Sequence, residues 1–366
     1  MKKLLSQTKL VKAQSTKTNQ VARSLYTEIR SLIESTRGQV SQAGNSGLVT
    51  MYWQIGTMIR KNVLGEERAE YGKQILYALS RKLILEYGEG FSERNLAYMV
   101  RFAETFPHKD ILHTVCAKLS WSHIRRIVYL DDDLKRTFYV EMCRLERWSV
   151  RVLEEKISGL LYERTAISKK PAKLIKQELQ SLRREDALTP DLVFRDPYLL
   201  NFLGLKDTYS EKDLESAILR EIEAFILELG TGFSFVNRQK RITIDGEDYY
   251  IDLLFFHRTL RRLIAIELKL DKFKAADKGQ MELYLRWLEK YEQKPGEETP
   301  IGLILCAGKS SEHIELLQLQ KSGIRVAEYM TELPPQKILE KKLHQAIAMA
   351  REQLQQRSTQ KKLKTE

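Results

Sequence analysis

The stretch YYIDLLFFHRTLRRLIAIELKL, residues 249–270, contains two apolar runs separated by a short polar turn. Side chains alternate between the two faces of a β-strand, so Glu267 and Lys269 share one face of the second run. The aliphatic residues that alternate with them share the other face. Burying either charge without a partner costs several kcal/mol. The two charged side chains therefore either neutralise each other or face a site where charge is needed.

The first run contributes one more charge to this region. Asp252 is the only charged residue in YYIDLLFF, and hairpin pairing of the two runs can bring it beside Glu267 and Lys269. Upstream, the run FSFVNRQKRITI, residues 233–244, is followed by an Asp-Gly pair at 245–246, which is typical of a tight hairpin turn. The three runs predict three consecutive antiparallel strands.

Helices and further strands surround these three strands. Residues 210–230, SEKDLESAILREIEAFILELG, predict one amphipathic helix with a serine N-cap and a terminal glycine. Residues 273–291 predict a second helix, and the apolar runs at 301–308 and 324–330 predict two more strands. The order αβββαββ indicates a mixed sheet with helices packed on it, which is an α/β domain.

The first half of the chain has the pattern of an all-α domain. Residues 71–87 carry apolar side chains at helical spacing and stop at Gly88, a residue type that often ends helices. Ser92, Ser120 and Ser149 each precede a helical pattern and are flanked by apolar residues, as in a capped helix with a hydrophobic staple. The whole chain is therefore predicted to be α+β, with an all-α domain before the α/β domain.

A helix-turn-helix can be drawn within this all-α half. The helix that stops at Gly88, the turn at 89–91 and the helix that follows could form a helix-turn-helix or winged-helix-like unit. Arg94, Tyr98 and Arg101 would then share one face of the second helix, where they could contact phosphates or bases. A helical bundle with an exposed basic face is an equally good interpretation.

Composition changes suggest five segments along the chain. Lysines, short polar runs and two prolines mark residues 164–197 as the clearest boundary. The segments are a basic N-terminal extension (1–20), a helical N-terminal domain (21–163), a linker region (164–197), the α/β domain (198–335) and a charged C-terminal helix and tail (336–366).

Composition also narrows the functional class. The 366 residues are 43% hydrophobic, as in folded proteins, and no apolar run approaches the about 18 residues of a transmembrane helix. Cys116, Cys143 and Cys306 are far apart in the sequence, which excludes a CxxC motif. The small number of cysteines and the lack of an evident signal peptide favour a cytoplasmic location for the protein. Lys and Arg exceed Asp and Glu by 61 − 49 = 12. The expected partner is a polyanion such as nucleic acid, and a solvated basic surface is the alternative.

Two carboxylates beside an ammonium group are costly for stability alone but suit a divalent cation. Mg2+ prefers oxygen ligands and needs only one or two carboxylates with water and substrate phosphate. Asp252 and Glu267 are therefore candidate ligands, with the carbonyl of Leu268 as a third. Lys269 could hold the attacking water or neutralise charge on a phosphoryl oxygen. A buried ion-pair network is the alternative interpretation.

These residues resemble the PD-(D/E)XK nuclease motif. Asp252 matches the motif's aspartate and Glu267-x-Lys269 matches (D/E)xK, although isoleucine rather than proline precedes the aspartate. Gln280 and Tyr284 are similar to the QxxxY element of several branches of the superfamily, and their spacing puts them on one helical face. The resemblance implies that both position the substrate or the catalytic lysine.

The superfamily often has a further glutamate on its first helix. Glu215 is the candidate for this position as an additional metal ligand, and Glu221 is the second choice. The resemblance implies Mg2+ as the cofactor, with Mn2+ as a substitute.

More specifically, the chain resembles the YhcG family, which joins a helical N-terminal domain to a PD-(D/E)XK nuclease domain. The likeness covers about residues 21–330 and implies a restriction-endonuclease-like domain at 198–335. The segments that carry it are YWQIGTMI, RAEYGKQIL, GFSERNLAYM, LSWSHIRRI, ERWSVRVLEEKI, LELGTGFSFVNRQ, YYIDLLFFHR, AIELKL and GQMELYL.

The resemblance implies a magnesium-dependent nuclease that hydrolyses DNA in recombination, repair or defence against foreign DNA. The expected partners are DNA, no membrane, and a second copy or another protein bound through the helical domain. Two alternatives stay open, namely a non-catalytic nucleic-acid-binding or assembly protein with the nuclease fold, and an RNA-directed nuclease. A Walker A sequence is absent, so ATP-driven translocation is not expected of this chain.

Overall fold

The structure is a computed structural model that describes residues 2–63, 69–107, 118–205 and 209–363. The chain divides into two compact units between Glu155 and Lys156. Cys116 and the last three residues of the predicted C-terminal tail lie outside the described residues. Within the described residues, no helix is long and apolar enough to cross a membrane.

The first unit is all-α over its described residues, as predicted. Its helices are α1 (Lys2–Val63), α2 (Ala69–Tyr87), α3 (Glu93–Thr105), α4 (Trp121–Ile127), α5 (Asp133–Glu146) and α6 (Val150–Ser158), the last of which continues past the unit boundary. A 3-10 turn at Glu89–Phe91 lies between α2 and α3. Residues 2–20, predicted as an N-terminal extension, form the start of α1.

Serine residues begin three of these helices at the predicted positions. The Ser120 amide donates a hydrogen bond to Nδ1 of His123 at the start of α4, and the Ser149 hydroxyl accepts one from the Val152 amide at the start of α6. Ser92 occupies the N-cap position of α3 without a side-chain hydrogen bond. Caps of this kind satisfy backbone amides that have no partner within the helix.

A close crossing of α1 and α3 builds the core of the first unit. A Cβ added to Gly56 of α1 would lie 1.9 Å from the carbonyl oxygen of Met99 in α3. Leu25 and Ile55 of α1 join Leu79 of α2 in the same buried cluster. A glycine is therefore required where the two helix backbones approach.

The second unit is α/β. Its helices are α7 (Leu161–Arg164), α8 (Ala172–Glu185), α9 (Pro190–Val193), α10 (Glu211–Arg220), α11 (Ile222–Leu229), α12 (Ala275–Tyr291), α13 (Ser311–Leu316) and α14 (Gln336–Leu363). Its strands are β1 (Tyr198–Leu199), β2 (Phe233–Ile244), β3 (Glu247–His257), β4 (Arg262–Lys272), β5 (Ile301–Gly308) and β6 (Ile324–Met330). Short 3-10 turns occur at Ala166–Lys169, Asn201–Leu203 and Leu319–Ser322.

These strands form one mixed sheet in the order β1-β6-β5-β4-β3-β2. β2, β3 and β4 pair in antiparallel fashion, whereas β4, β5, β6 and β1 pair in parallel. The predicted order αβββαββ and the mixed sheet are confirmed. The structure adds the short helix α13 between β5 and β6. It also adds β1, which is two residues long and therefore too short to leave a periodic signal in the sequence.

The amphipathic helix predicted at 210–230 is two helices in the structure. Ser210 caps α10 as predicted, because its hydroxyl accepts a hydrogen bond from the Asp213 amide. Gly230 follows α11 with a φ of 124°, a conformation that favours glycine. Glu221 lies between α10 and α11 with φ −106° and ψ 35°, outside the helical region.

Two hydrophobic clusters cover the two faces of the sheet. The first contains the aliphatic residues of β4 at even positions, from Ile264 to Leu268, with residues of α10 and α11. The second contains Ala265 with residues of α12. Because side chains alternate along β4, Glu267 and Lys269 belong to the face that α12 covers. The result is a sheet between helices, with the charged pair of β4 directed toward α12.

Charged side chains attach part of the segment predicted as a linker, 164–197, to the second unit. The Asp196 carboxylate lies 2.5 Å from the ammonium groups of both Lys169 and Lys309. It also accepts a hydrogen bond from the Glu328 amide of β6 at 3.1 Å. These contacts hold Asp196 beside the sheet.

Candidate active site

The candidate active site lies where β3 and β4 stop pairing. The last register pair between these antiparallel strands is Leu253 with Ile266. Asp252 and Glu267 are the next residues along the two strands, so the sheet brings them to adjacent positions. This is the arrangement that the hairpin pattern predicts.

Both carboxylate oxygens of Asp252 accept hydrogen bonds. Oδ2 accepts from the Leu268 amide at 2.9 Å, and Oδ1 accepts from the side-chain amide of Gln239 at 3.0 Å. Burial raises the pKa of Asp252, and these two donors together with Lys269 oppose the rise without cancelling it. The carboxylate is therefore held in one orientation at a partly desolvated position.

Glu267 uses only one of its two carboxylate oxygens in hydrogen bonds. Oε1 accepts from Nζ of Lys269 at 3.0 Å and from Nε2 of Gln280 at 3.2 Å. Oε2 is buried and has no hydrogen-bond partner among the described residues. Burial, and after it the nearby Asp252 carboxylate, raise the pKa of Glu267 to about 7 although Lys269 acts in the opposite direction. The second oxygen is thus a buried acceptor that is free to bind a cation.

Gln280 and Tyr284 lie on one face of α12, as their spacing predicts. Nε2 of Gln280 contacts the Tyr284 hydroxyl at 2.6 Å as well as Glu267. The Tyr284 hydroxyl in turn donates to the carbonyl of Tyr250 in β3 at 3.1 Å. The two side chains therefore connect α12 to both strands of the site.

Gln239 of β2 joins the site although no motif pointed to it. Its Nε2 donates to Oε2 of Glu215 at 2.9 Å and to Oδ1 of Asp252 at 3.0 Å. Its backbone has a φ of 45°, which is uncommon for a residue other than glycine inside a strand. The only sequence signal for Gln239 was its place in LELGTGFSFVNRQ, one of the segments that carry the family resemblance.

Glu215, rather than Glu221, is the first-helix glutamate that reaches the site. Burial, and next the Asp252 carboxylate, raise the pKa of Glu215, while Gln239 lowers it. Glu221 is exposed in the break between α10 and α11. Of these two glutamates, only Glu215 is linked to Asp252 by a shared hydrogen-bond donor, Gln239.

A divalent cation fits the donor set of this site. Asp252 and Glu267 have carboxylate oxygens and Leu268 has a backbone carbonyl, which are ligand types that Mg2+ prefers. The buried Oε2 of Glu267 supports the fit, because an unpaired buried acceptor is unfavourable unless something binds it. In the part of the chain that the structure describes, no three His, Cys, Asp or Glu side chains could hold a metal as a group. Water or substrate phosphate would have to complete the shell.

The predicted nucleic-acid-binding residues lie on α3 in the first unit. Arg94 and Arg101 are exposed and Tyr98 is half-buried. Two further residues that the sequence did not single out join them, Arg125 of α4 and Tyr129 just after it, and each makes a ring contact with this group. The result is a surface cluster of arginines and tyrosines.

The sequence matches two known domain families and one curated relative. Residues 191–344 match the YhcG PDDEXK nuclease domain, and residues 28–164 match the DUF1016 N-terminal domain. The relative is YhcG of Escherichia coli (strain K12), whose name assigns it provisionally to the nucleases. The two are 35% identical over an alignment of 353 residues, and the match covers 88% of this chain and 93% of the relative.

Two solved structures are similar to part of the chain. A repair endonuclease from Pyrococcus abyssi has 22% identity over 36% of this chain and 50% of its own, with a TM-score of 0.25. EndoMS in a complex with dsDNA has 18% identity over 36% of this chain and 49% of its own, with a TM-score of 0.26. Because the curated relative matches nearly end to end and the two domain families follow in the same order, the chain belongs to the YhcG family, and its second unit contains that family's PDDEXK nuclease domain.

Proposed function

We propose that the protein is a magnesium-dependent nuclease that hydrolyses phosphodiester bonds in DNA. The observation that carries the proposal is the group formed by Asp252, Glu267 and Lys269. Lys269 lies 3.0 Å from one oxygen of Glu267, while the other oxygen is buried without a hydrogen-bond partner among the described residues. An ion-pair network that served stability alone would satisfy both oxygens.

Asp252, Glu267 and the carbonyl of Leu268 would hold the cation, Mg2+, for which Mn2+ would substitute. When bound, the ion would polarise the scissile phosphate and lower the pKa of a water molecule. Glu215 would act as a further ligand, and its Oε2 is held near Asp252 by the 2.9 Å hydrogen bond from Gln239. Asp252 is ready to bind in one orientation, because the Leu268 amide and Gln239 fix both of its oxygens.

Lys269 supplies positive charge at the site. Burial lowers the pKa of its ammonium group, but Glu267 outweighs burial and the net pKa is raised. The group therefore carries its proton at neutral pH. An ammonium in this position can orient the attacking water or stabilise negative charge that develops on a phosphoryl oxygen.

Gln280 and Tyr284 would position these groups and the substrate. Gln280 donates to the same oxygen of Glu267 as Lys269 does, so it limits how that carboxylate can rotate. Tyr284 holds Gln280 and the backbone of β3 together. Loss of either contact would loosen the relative placement of α12 and the two strands.

Nucleic acid is the partner that the charge of the chain favours, and we propose DNA as the substrate. The net charge of +12 gives a general attraction for phosphates, and Arg94, Tyr98 and Arg101 would contact the nucleic acid in the first unit. If phosphates dominate the contacts, the affinity falls steeply as salt concentration rises. A nuclease of this kind would act in recombination, repair or defence against foreign DNA.

The test compares the full-length protein with two variants, Asp252→Ala and Lys269→Ala. We expect cleavage of DNA with Mg2+ or Mn2+, none with EDTA, and a loss of about 100-fold or more in each variant, because each removes a cation ligand or a transition-state charge. Folding and much of the DNA affinity should persist. Labelled single-stranded, duplex and branched DNA and RNA are digested side by side.

Matched controls come from the end of β4. Asp271→Ala and Lys272→Ala remove an exposed acid and an exposed base at the end of β4, and both should leave cleavage unchanged. Equal cleavage by the wild type and by both site variants would refute the catalytic site. Cleavage of RNA alone would replace DNA as the substrate, and binding without cleavage of any substrate would favour the non-catalytic alternative.

A further inference from the structure

Five residues of the first unit form a cluster that we call the Arg–Tyr cluster, namely Arg94, Tyr98, Arg101, Arg125 and Tyr129. The Tyr98 and Tyr129 rings meet edge to face, with centroids 5.5 Å apart and an interplanar angle of 89°. The Arg125 guanidinium lies 4.5 Å and the Arg94 guanidinium 5.8 Å from the Tyr98 centroid. The Arg101 guanidinium lies 5.0 Å from the Tyr129 centroid.

The arginines of the Arg–Tyr cluster have no ion-pair partner in the part of the chain that the structure describes. Among the described residues, no carboxylate forms an ion pair with Arg94, Arg101 or Arg125. Nε of Arg125 is buried and has no hydrogen-bond partner there. By contrast, the neighbouring Arg126 is paired with Glu154. Three adjacent cations without counter-charges repel one another, so the surface favours an anionic ligand.

The lowered pKa of Tyr98 is consistent with the positive charge around it. The hydrogen bond from Arg94 at 3.4 Å, and after it the one from Arg125, lower the pKa of the Tyr98 hydroxyl. The hydroxyl thus lies in a locally positive field. A phosphate oxygen beside the Arg94 and Arg125 guanidinium groups would meet the same field.

Tyr129 adds an apolar feature to this positive surface. Tyr129 is 53% exposed, although the Arg101 guanidinium lies near its ring. An exposed aromatic ring beside arginines is the arrangement with which proteins stack unpaired bases while holding the adjoining phosphates. In a duplex the faces of the bases are already stacked on their neighbours, so the ring would gain nothing from that ligand.

We propose that the Arg–Tyr cluster binds single-stranded nucleic acid, with a base stacked on Tyr129 and the adjoining phosphates held by Arg94, Arg101 and Arg125. The proposal rests on the proposed function in taking nucleic acid as the ligand. It goes further by naming unpaired strands as the class that the first unit recognises. The cluster would direct the protein to single-stranded regions, ends or branches.

The experiment measures binding of a labelled single-stranded oligonucleotide and of the corresponding blunt duplex. The full-length chain carries Asp252→Ala and is assayed with Mg2+, so that binding is measured without cleavage. Tyr129→Leu in this background should weaken single-strand binding by about 5- to 150-fold, the loss expected for one stacked base, and should leave duplex binding unchanged. Arg101→Gln should weaken binding and lower the salt dependence by about one phosphate contact.

The chain offers a matched control on α2. Tyr77 is 55% exposed, and the Arg81 guanidinium lies 5.8 Å from its ring centroid, so the pair has the same chemistry outside the cluster. Tyr77→Leu should bind single strands as the parent does. Circular dichroism melting of every variant verifies that the first unit still folds.

Three outcomes would overturn the proposal. They are unchanged single-strand binding in Tyr129→Leu, an equal loss of duplex binding, and an equal loss in Tyr77→Leu. Cleavage by the wild-type chain is measured separately, so failure here leaves the nuclease proposal standing. Conversely, an inactive wild type whose cluster variants lose single-strand binding would remove the nuclease proposal and keep this one.

Discussion

Gln239 connects two carboxylates of the candidate site that belong to different elements. Its amide nitrogen donates to Glu215 of α10 and to Asp252 of β3. The left-handed backbone at Gln239, with a φ of 45°, costs about 1 kcal/mol or more for a residue other than glycine. This unfavourable backbone torsion occurs at the position of β2 where it directs the side-chain amide toward the carboxylates of both Glu215 and Asp252. We infer that Gln239 is a positioning residue.

We expect Gln239→Ala to lower both the affinity for the cation and the rate of cleavage by about 10- to 100-fold, as for other residues that orient metal ligands. The reason is that Oδ1 of Asp252 loses its donor and the carboxylate becomes free to rotate. Mn2+ binding followed by electron paramagnetic resonance measures the affinity without relying on catalysis.

The control for Gln239 is Asn237→Ala, which removes another amide from the same strand at an exposed position. It should change neither Mn2+ binding nor cleavage. An unaltered Mn2+ affinity in Gln239→Ala would contradict a positioning role, whatever the effect on the rate.

The sequence predicted some of these side chains because they follow strict periodicities. Alternation along β4 was enough to put Glu267 and Lys269 on one face, and helical spacing was enough for Gln280 and Tyr284. Gln239 was missed because its direction depends on an irregular backbone torsion, which no residue pattern encodes. Arg125 and Tyr129 were missed because they reach the cluster through tertiary packing.

At the scale of elements, local sequence signals predicted the start of a helix better than a break within one. The N-cap serine at 210 was predicted from the sequence and is present. The break at Glu221 was not predicted, because the residues around it are good helix formers and the apolar pattern continues across it. β1 was missed since two residues carry no period. The order of the larger elements followed from periodicity alone.

The close contact between α1 and α3 predicts how one substitution changes the stability of the first unit. Gly56→Ala would place a Cβ 1.9 Å from the Met99 carbonyl oxygen. The backbone of α3 would have to move, so we expect a loss of about 1–3 kcal/mol in the free energy of unfolding. Chemical denaturation followed by circular dichroism measures it.

Gly279→Ala provides the opposite case for comparison. Gly279 is a helical glycine in α12 with no neighbouring atom within 4 Å of an added Cβ. This change should stabilise the protein by about 0.5–1 kcal/mol, because alanine loses less conformational freedom on helix formation. A Gly56→Ala protein as stable as the wild type would mean that α1 and α3 do not cross this closely.

At the scale of the whole molecule, the prediction of a linker at 164–197 rested on composition, which does not reveal long-range ion pairs. Lysines and prolines usually indicate a solvated connection. In the structure, Asp196 of this segment forms ion pairs with Lys169, from within the segment, and with Lys309, from beyond β5. Asp196 and Lys309 lie more than a hundred positions apart along the chain, so no local window could reveal their pairing.

Asp196 gives an expectation for acid stability. Burial raises the pKa of its carboxyl group, but Lys309 and Lys169 outweigh burial and lower the pKa from 3.8 to about 2. A lowered pKa means that the stabilisation is complete above about pH 4 and disappears as the pH falls through about 2, with a size of about 2 kcal/mol. Urea denaturation at pH 7 and at successively lower pH values measures it.

Asp196→Asn should remove that stabilisation already at pH 7 and flatten the acid dependence. Asp248→Asn is the control, because Asp248 pairs with Arg241 at the surface, where solvent screens the interaction and the effect should be small. Equal pH dependence in the wild type and in Asp196→Asn would show that this carboxylate does not govern acid unfolding.

Oε2 of Glu267, which is buried without a hydrogen-bond partner among the described residues, links the proposed cation site to the thermal stability of the protein. Without an ion, the fold tolerates an unsatisfied acceptor that costs about 1–3 kcal/mol. A cation that binds the native chain but not the unfolded one relieves this cost and shifts the folding equilibrium by mass action. If the proposed cation binds at this oxygen, we expect the melting temperature to rise with the concentration of Mg2+ and to fall when a chelator is added, even where no substrate is present.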